Sequence, residues 1–288
     1  MRRAALAFTV LVAGLGIAAD DAAAQAQSGR LKTVAAGKTI RIAHRTDALP
    51  FSFVDRNKEV AGYTIDVCKA VVASLQRQLK VASLKIEWVP VTTQNRFETV
   101  ANGQADLECG ASTVTLARMK EVDFSNYVFV ESTGLAVNAS AAVNKLQDLA
   151  GKKIAVISGT SNEKAMAAKN QEMQLNATLI PMKDRDEAVT ALESGRVDAF
   201  ASDKLLLYGA EFKNPQALRA LPDDLSIEPY AIALPRGDWE LRLAVNTALA
   251  EIYRSGDIQK IFGVWFGQLG LRPGPLLNAA YMLGAVAE

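Results

Sequence analysis

The feature that most restricts how this 288-residue chain can fold is a strand–helix–strand–helix–strand series that occurs twice. In the first copy, residues 39–44 (TIRIAH) alternate as a strand does. Ile65, Cys68, Val71, Val72, Leu75 and Leu79 then recur at helical spacing, and residues 84–91 form a second strand. Thr93 is the predicted cap of a short helix over 94–101, Asn102-Gly103 stops it, and 105–109 is the third strand. In the second copy, 153–157 is a strand, and Ser158-Gly159-Thr160-Ser161 leads into a helix through Asn170. A strand over 177–182 follows, then a helix opened by Asp184-Arg185-Asp186-Glu187 and closed at Ser194-Gly195, a strand over 197–201, and a further helix opened by Asp203. Even the junctions match: Asn102-Gly103-Gln104-Ala105-Asp106 has its counterpart in Ser194-Gly195-Arg196-Val197-Asp198. Strands alternating with helices demand a mostly parallel sheet with helices on its faces, and two matched series give two α/β lobes.

Two extended runs, 127–137 and 226–234, carry the chain between the series and back. Helices at 239–253 and 257–265 then complete the first lobe. The expected organisation is lobe 1 over 38–132, lobe 2 over 135–229, the returning part of lobe 1 over 231–270, and a tail of unassigned order over 271–288. Two crossings make a hinge, and the space between the lobes makes a cleft.

Residues 1–26 read as a cleaved signal peptide. Arg2 and Arg3 precede a short apolar run ending at Asp20-Asp21, and small-x-small sites follow at 22–26. No cysteine follows the run, so no lipid attachment is expected, and no later segment is apolar enough to span a bilayer. The mature protein is therefore expected in the periplasm. Charge is balanced, 32 basic against 31 acidic residues, which argues against a nucleic-acid or anionic-membrane partner. The cysteines are Cys68 and Cys109 and the single histidine is His44. Metal binding therefore lacks ligands, and no cofactor is expected. An oxidising compartment favours a Cys68–Cys109 disulfide over two buried thiols.

The stretch 108–125 (ECGASTVTLARMKEVDFS) has no nucleophile–base pair. Hydroxyls at Ser112, Thr113 and Thr115 at an expected helix start, with Arg118 one turn on, suit an anion. The alternative is an ordinary N-cap with a surface arginine. Comparable structural alternatives hold elsewhere: Asp203 as a simple cap, and Arg45, Arg96 and Arg185 as solvated surface residues.

His44-Arg45, Pro50-Phe51-Ser52-Phe53, Gly62-Tyr63-Thr64-Ile65-Asp66, Thr93-Gln94-Asn95-Arg96, Glu108-Cys109-Gly110, Thr113, Arg118, Asp123-Phe124-Ser125, Ser158-Gly159-Thr160 and Leu192-Glu193-Ser194-Gly195-Arg196 together carry a resemblance. From about residue 38 to 270 the chain resembles the family-3 solute-binding proteins of polar amino-acid ABC transporters, nearest the glutamate/aspartate-binding group. The resemblance implies a two-lobed α/β fold with two hinge strands and no enzymatic activity. It also implies a monomer that delivers an acidic amino acid to permease subunits in the inner membrane. It assigns Arg118 to the ligand α-carboxylate, with hydrogen bonds donated by Thr113, Thr160 and Ser161. Asp203 accepts from the α-ammonium beside the Ala111 carbonyl, and Arg45, Thr93 and Arg96 surround the side-chain carboxylate. Two positions depart from that group: Ala111 stands where serine is frequent, and Arg185 where histidine is frequent. The same fold also serves periplasmic cyclohexadienyl/arogenate dehydratases and amino-acid sensors that act on membrane receptors. A dehydratase needs a general acid in the cleft, and the evident carboxylate, Asp203, is expected to be taken by the ammonium.

Overall fold

The computed structural model describes residues 29–213 and 216–287; the expected signal peptide lies outside the described residues. The first lobe opens with α1 (Gly29–Gly37), β1 (Thr39–Arg45), the short strands β2 (Asp47–Ala48), β3 (Ser52–Val54) and β4 (Val60–Ala61), then α2 (Tyr63–Gln78). It continues with β5 (Lys85–Val91), α3 (Arg96–Ala101), β6 (Leu107–Glu108) and β7 (Val122–Glu131). The second lobe contains β8 (Thr133–Asn138), β9 (Lys153–Ile157), α4 (Ser161–Glu172), β10 (Thr178–Met182), α5 (Arg185–Glu193), β11 (Ala199–Asp203), α6 (Lys204–Lys213) and β12 (Leu218–Ala220). β13 (Glu228–Pro235) returns to the first lobe, followed by α7 (Trp239–Ser255), α8 (Asp257–Phe266) and α9 (Pro275–Gly284).

The two main sheets run β5-β1-β6-β13-β7 and β10-β9-β11-β8-β12. In the first, β1 pairs in parallel with β5 on one side and β6 on the other. In the second, β9 stands likewise between β10 and β11. Each sheet then closes with antiparallel strands, β13 and β7 in one, β8 and β12 in the other. β11 is buried along its whole length, as a strand covered by helices on both faces must be.

α2 forms because Ile65, Cys68, Val71, Val72 and Leu75 fall on one face, and all are buried. That face joins α7 and α8 in the first-lobe core, where Phe51, Tyr63, Phe129, Tyr230, Phe262 and Phe266 pack mostly edge-on or tilted, with Phe129 and Phe262 stacked. Separate cores in the second lobe lie on the two faces of its sheet, around Ile154 and Val156 on one side and Ala155 and Phe200 on the other. The Sγ atoms of Cys68 and Cys109 are bonded, tying α2 to the end of β6. Among the described residues no helix is long and apolar enough to cross a membrane.

The structure corrects several sequence expectations. The tail, whose order the sequence left unassigned, carries α9, which lays Leu277 and Tyr281 into the first-lobe core, with the Tyr281 hydroxyl 2.6 Å from that of Tyr63. α1 is a further part of that lobe, with Leu31 and Val34 buried. Between β8 and β9 the chain makes a 3-10 turn at Leu146–Leu149. α3 starts two residues later than expected because Asn95, not Thr93, organises its entry: the Asn95 Oδ1 accepts from the Thr92 N–H at 2.8 Å.

The disulfide closes a loop of 41 residues between α2 and β6. Chain entropy sets the stabilisation of such a loop at about 4 kcal/mol. Replacing both cysteines with serine is expected to lower the unfolding free energy by about 2–4 kcal/mol. Urea unfolding curves check this, and a midpoint equal to that of the parent protein contradicts it.

Candidate functional site

In an open α/β sheet, side chains at the carboxyl ends of strands flanking the point where strand order reverses converge on one crevice. Both lobes turn that end toward the other. β1 ends at Arg45, β5 leads to Thr93, and β6 leads to Ala111 and Thr113. Across the cleft, β9 leads to Thr160 and Ser161, β10 to Arg185, and β11 ends at Asp203. Arg45, Thr93, Arg96, Ala111, Thr113, Thr160, Ser161, Arg185 and Asp203 all line one narrow cavity, together with Ile157, Asn162 and Leu206.

The lobes are closed over this cavity. The Ser161 Oγ donates to the Thr113 Oγ1 at 3.2 Å, and the Gln94 Nε2 donates to the Lys183 carbonyl at 2.9 Å. At Gly209 on α6 an added Cβ would stand 2.9 Å from the Leu49 carbonyl oxygen, so this approach of the lobes needs a glycine.

One wall is basic. Arg45, Arg96 and Arg185 are buried, which removes the solvated-surface alternative for each. The Arg45 Nη2 donates to both carboxylate oxygens of Asp47, at 2.6 and 2.9 Å. The Arg185 Nη1 donates to the Ser202 hydroxyl at 2.9 Å. The Arg96 and Arg118 guanidiniums stack over the Phe97 ring, 4.8 and 5.0 Å from its centroid. Burial, reinforced by Arg118 and Arg45, draws the Arg96 pKa down to about 9, against the pull of Glu108 and Asp203. It is still cationic at neutral pH.

Facing this wall is an acidic group at the hinge. Burial raises the pKa of Asp203, opposed by the hydrogen bond that the Asn162 Nδ2 donates to its Oδ1 at 3.0 Å. The same Asn162 amide donates to the Thr133 hydroxyl at 2.8 Å, and Thr133 donates to Glu228 at 3.0 Å. Glu228 and Glu131 stand opposite each other in the β13–β7 register, where the chain crosses between lobes.

Two sequence-assigned residues stand differently from expectation. The Thr160 hydroxyl is already committed: it caps α4 by accepting from the Glu163 N–H at 3.0 Å and donates to the Ile157 carbonyl at 2.7 Å. It has no proton left for a ligand. Arg118 is half-buried, does not itself line the cavity, and spends its Nη1 on the Thr113 carbonyl at 2.7 Å. Nor does it follow an α-helix N-terminus, because the helical part of that segment is a 3-10 turn at Arg118–Lys120. The anion cradle expected from helix geometry over 112–118 is therefore absent. Sequence reasoning missed Asp47, Phe97, Asn162 and Glu228. Asn162, directly beside the assigned Ser161, is the one with a usable signal.

Two α/β sheets whose strand ends face each other across a closed, charged cavity define a two-lobed ligand-binding protein. The chain belongs to the bacterial extracellular solute-binding proteins, family 3, whose family model matches residues 40–268. It is 32% identical over 268 residues to the glutamate/aspartate import solute-binding protein of Escherichia coli, covering 92% of this chain and 89% of that one. It is 34% identical over 244 residues to the L-glutamate/L-aspartate-binding protein of Pseudomonas aeruginosa, covering 84% and 81%. A crystal structure of an ancestral amino-acid-binding protein, described as a precursor of cyclohexadienyl dehydratase, superposes with a TM-score of 0.72 at 28% identity, covering 83% of this chain and 100% of that one. The chain is thus a solute-binding protein rather than an enzyme.

The hinge carries a measurable electrostatic signature. Burial, with Asp203 nearby, raises the Glu131 pKa from 4.5 to about 8, against the Ser132 N–H that donates to it. A raised folded pKa means that the native state holds the proton more tightly than the unfolded chain. The resulting stability is complete below pH 4.5 and is lost as pH rises through about 8. From this group alone stability falls with pH across that window, by at most about 1.4 kcal/mol per pH unit. Glu131→Gln is expected to flatten that slope; thermal unfolding from pH 5 to pH 8 tests it, and parallel curves for variant and parent refute it.

Proposed function

We propose that this protein is exported through a cleaved signal peptide and, as a periplasmic monomer, captures L-glutamate or L-aspartate for the permease subunits of an inner-membrane ABC transporter. The observation that carries this reading is the imbalance of the cavity wall, where Arg45, Arg96 and Arg185 face Asp203. An acidic amino acid brings two carboxylates and one ammonium, and each charge must be paired to be buried without a penalty of several kcal/mol. Asp203 accepts from the ammonium beside the Ala111 carbonyl. Arg118, Thr113, Ser161 and the N-terminal N–H groups of α4 serve the α-carboxylate, with Thr160 acting through the cap that fixes α4. Arg45, Thr93, Arg96 and Arg185 serve the side-chain carboxylate. The names borne by the two bacterial relatives point the same way.

A neutral side chain would leave Arg96, which has no ion-pair partner at contact distance among the described residues, facing the ligand unpaired, which is how the pocket rejects it. Titration calorimetry with glutamate, aspartate, glutamine and arginine is expected to give acidic ligands at least about 100-fold tighter binding than glutamine, the scale of one unpaired buried charge. Glutamine binding as tightly as glutamate refutes the reading. Arg96→Ala is expected to weaken glutamate far more than glutamine. Equal losses for both would take Arg96 out of the side-chain pocket.

A further inference from the structure

The Glu108 side chain is buried at 0% exposure between β1 and β13, its backbone in register with Ala43 and Ala233, and among the described residues neither carboxylate oxygen has a hydrogen-bond partner of good geometry. It does not line the cavity. A buried carboxylate without a donor is costly unless a positive field offsets the loss of water. Burial raises the Glu108 pKa, and the positive field of Arg96 on α3 opposes this most strongly, with smaller contributions from Arg45 at the end of β1 and Arg118 on the 3-10 turn. Ser112, also buried, is its polar neighbour.

The backbone is shaped to keep this carboxylate in place. A Cβ at Gly110 would stand 2.1 Å from the Glu108 Oε1 and 3.3 Å from the Arg45 Cγ. The Glu108 side chain therefore folds over the glycine and lies against the stem of Arg45. Between them, Cys109 is fixed to α2 by its disulfide. Glu-Cys-Gly acts as one device: a charge, a covalent anchor, and the space for the charge.

We infer that Glu108 is a specificity-determining residue, a resident carboxylate that competes with the side-chain carboxylate of the bound ligand for the guanidiniums of Arg45 and Arg96. This rests on the acidic-ligand reading. In the empty protein Glu108 offsets the mutual repulsion of these arginines. When an acidic ligand enters, a second carboxylate joins the same field and meets the first as a like charge. A neutral side chain meets no such repulsion. Glu108 thus lowers the preference for acidic over neutral ligands below what the arginines alone would give.

Glu108→Gln keeps the shape and removes the charge. It is expected to raise glutamate affinity about tenfold, the scale of one like charge removed at a distance of roughly 10 Å, while leaving glutamine affinity within a factor of two or so. A merely structural role would weaken both ligands together. Glu108→Asp, which keeps the charge, is expected to keep the parent ratio of the two affinities. A glutamate-to-glutamine ratio in Glu108→Gln that is unchanged or smaller overturns the inference. If the unliganded variant is too unstable to titrate, the protein is prepared saturated with glutamate and the acid is displaced by glutamine. The variant should need about ten times more glutamine than the parent, and an equal requirement overturns the inference. Parent protein that binds glutamine as well as glutamate overturns the acidic-ligand reading, and this inference with it. Acid preference in the parent with a ratio unmoved in Glu108→Gln overturns the role of Glu108 alone.

Discussion

Four guanidiniums drawn together at the meeting of two lobes are the constraint to which the rest of this structure answers. Arg45, Arg96 and Arg185 are buried in the closed cleft, and Arg118 stands half-buried beside them. Like charges in a medium of low dielectric repel strongly, and each also loses hydration. Each has been given a separate compensation. Asp47 takes Arg45 with both its oxygens, Ser202 accepts from Arg185, the Thr113 carbonyl accepts from Arg118, and the Phe97 ring lies under Arg96 and Arg118. The buried Nε atoms of Arg45, Arg96 and Arg185 donate to nothing among the described residues.

The sheets explain why these residues meet at all. Reversal of strand order beside β1 and beside β9 opens a crevice at the carboxyl end of each sheet, and the two antiparallel crossings turn the crevices face to face. The hinge then holds the opposite charge. Asp203, Glu228 and Glu131 lie where β7 passes to β8 and β13 returns, joined through Thr133 and Asn162. A ligand carrying both signs of charge would lie between a basic wall and an acidic hinge, in the orientation the field favours. Shutting the cleft requires α6 to approach the Leu49 carbonyl, which Gly209 permits. A ligand shifts such a balance only by the difference in its affinity for the closed and open forms. Contacts from both lobes are therefore the ones that matter.

Much of this was legible in the sequence because it is written in local signals. Helical periodicity marked α2, the Asp184 cap marked α5, and Gly103 and Gly195 marked the ends of their helices. Paired series with matching junctions gave the two lobes, and the assigned cavity residues sit at strand ends that those signals locate. What stayed hidden depends on contacts remote in the chain or on competition between neighbours. α9 belongs to the first lobe through Tyr281 meeting Tyr63 and the Val128 carbonyl, partners far from it in sequence. Thr93 looked like the better cap, but Asn95 and Thr92 bond each other and leave Thr93 to face the cleft. Hydroxyls at 112–115 resemble a helix start, yet Thr113 bridges to Tyr230 in extended backbone instead. Composition cannot distinguish those outcomes, because each turns on which partner the backbone finds first.

Similar topology carrying different residues accounts for the charge pattern of the cleft. The two series place equivalent strand ends on either side, yet they carry different charge. At the end of the central parallel strand, β1 offers Arg45 and β9 leads to the uncharged cap at Thr160. At the end of the third strand, β6 offers Glu108 beneath the arginines and β11 offers Asp203 to the cavity. By the matched junctions the counterpart of Glu108 is Phe200 and that of Asp203 is Ala111, so one lobe holds its carboxylate within the sheet, covered by Gly110 and the Arg45 stem, and the other holds it further along, lining the cavity. That asymmetry orients a bound molecule. An ammonium can reach only the second-lobe carboxylate, while Glu108 can act only through the field of the guanidiniums around it. A symmetric pair of lobes would have offered the ammonium two equal seats and fixed neither end of the ligand.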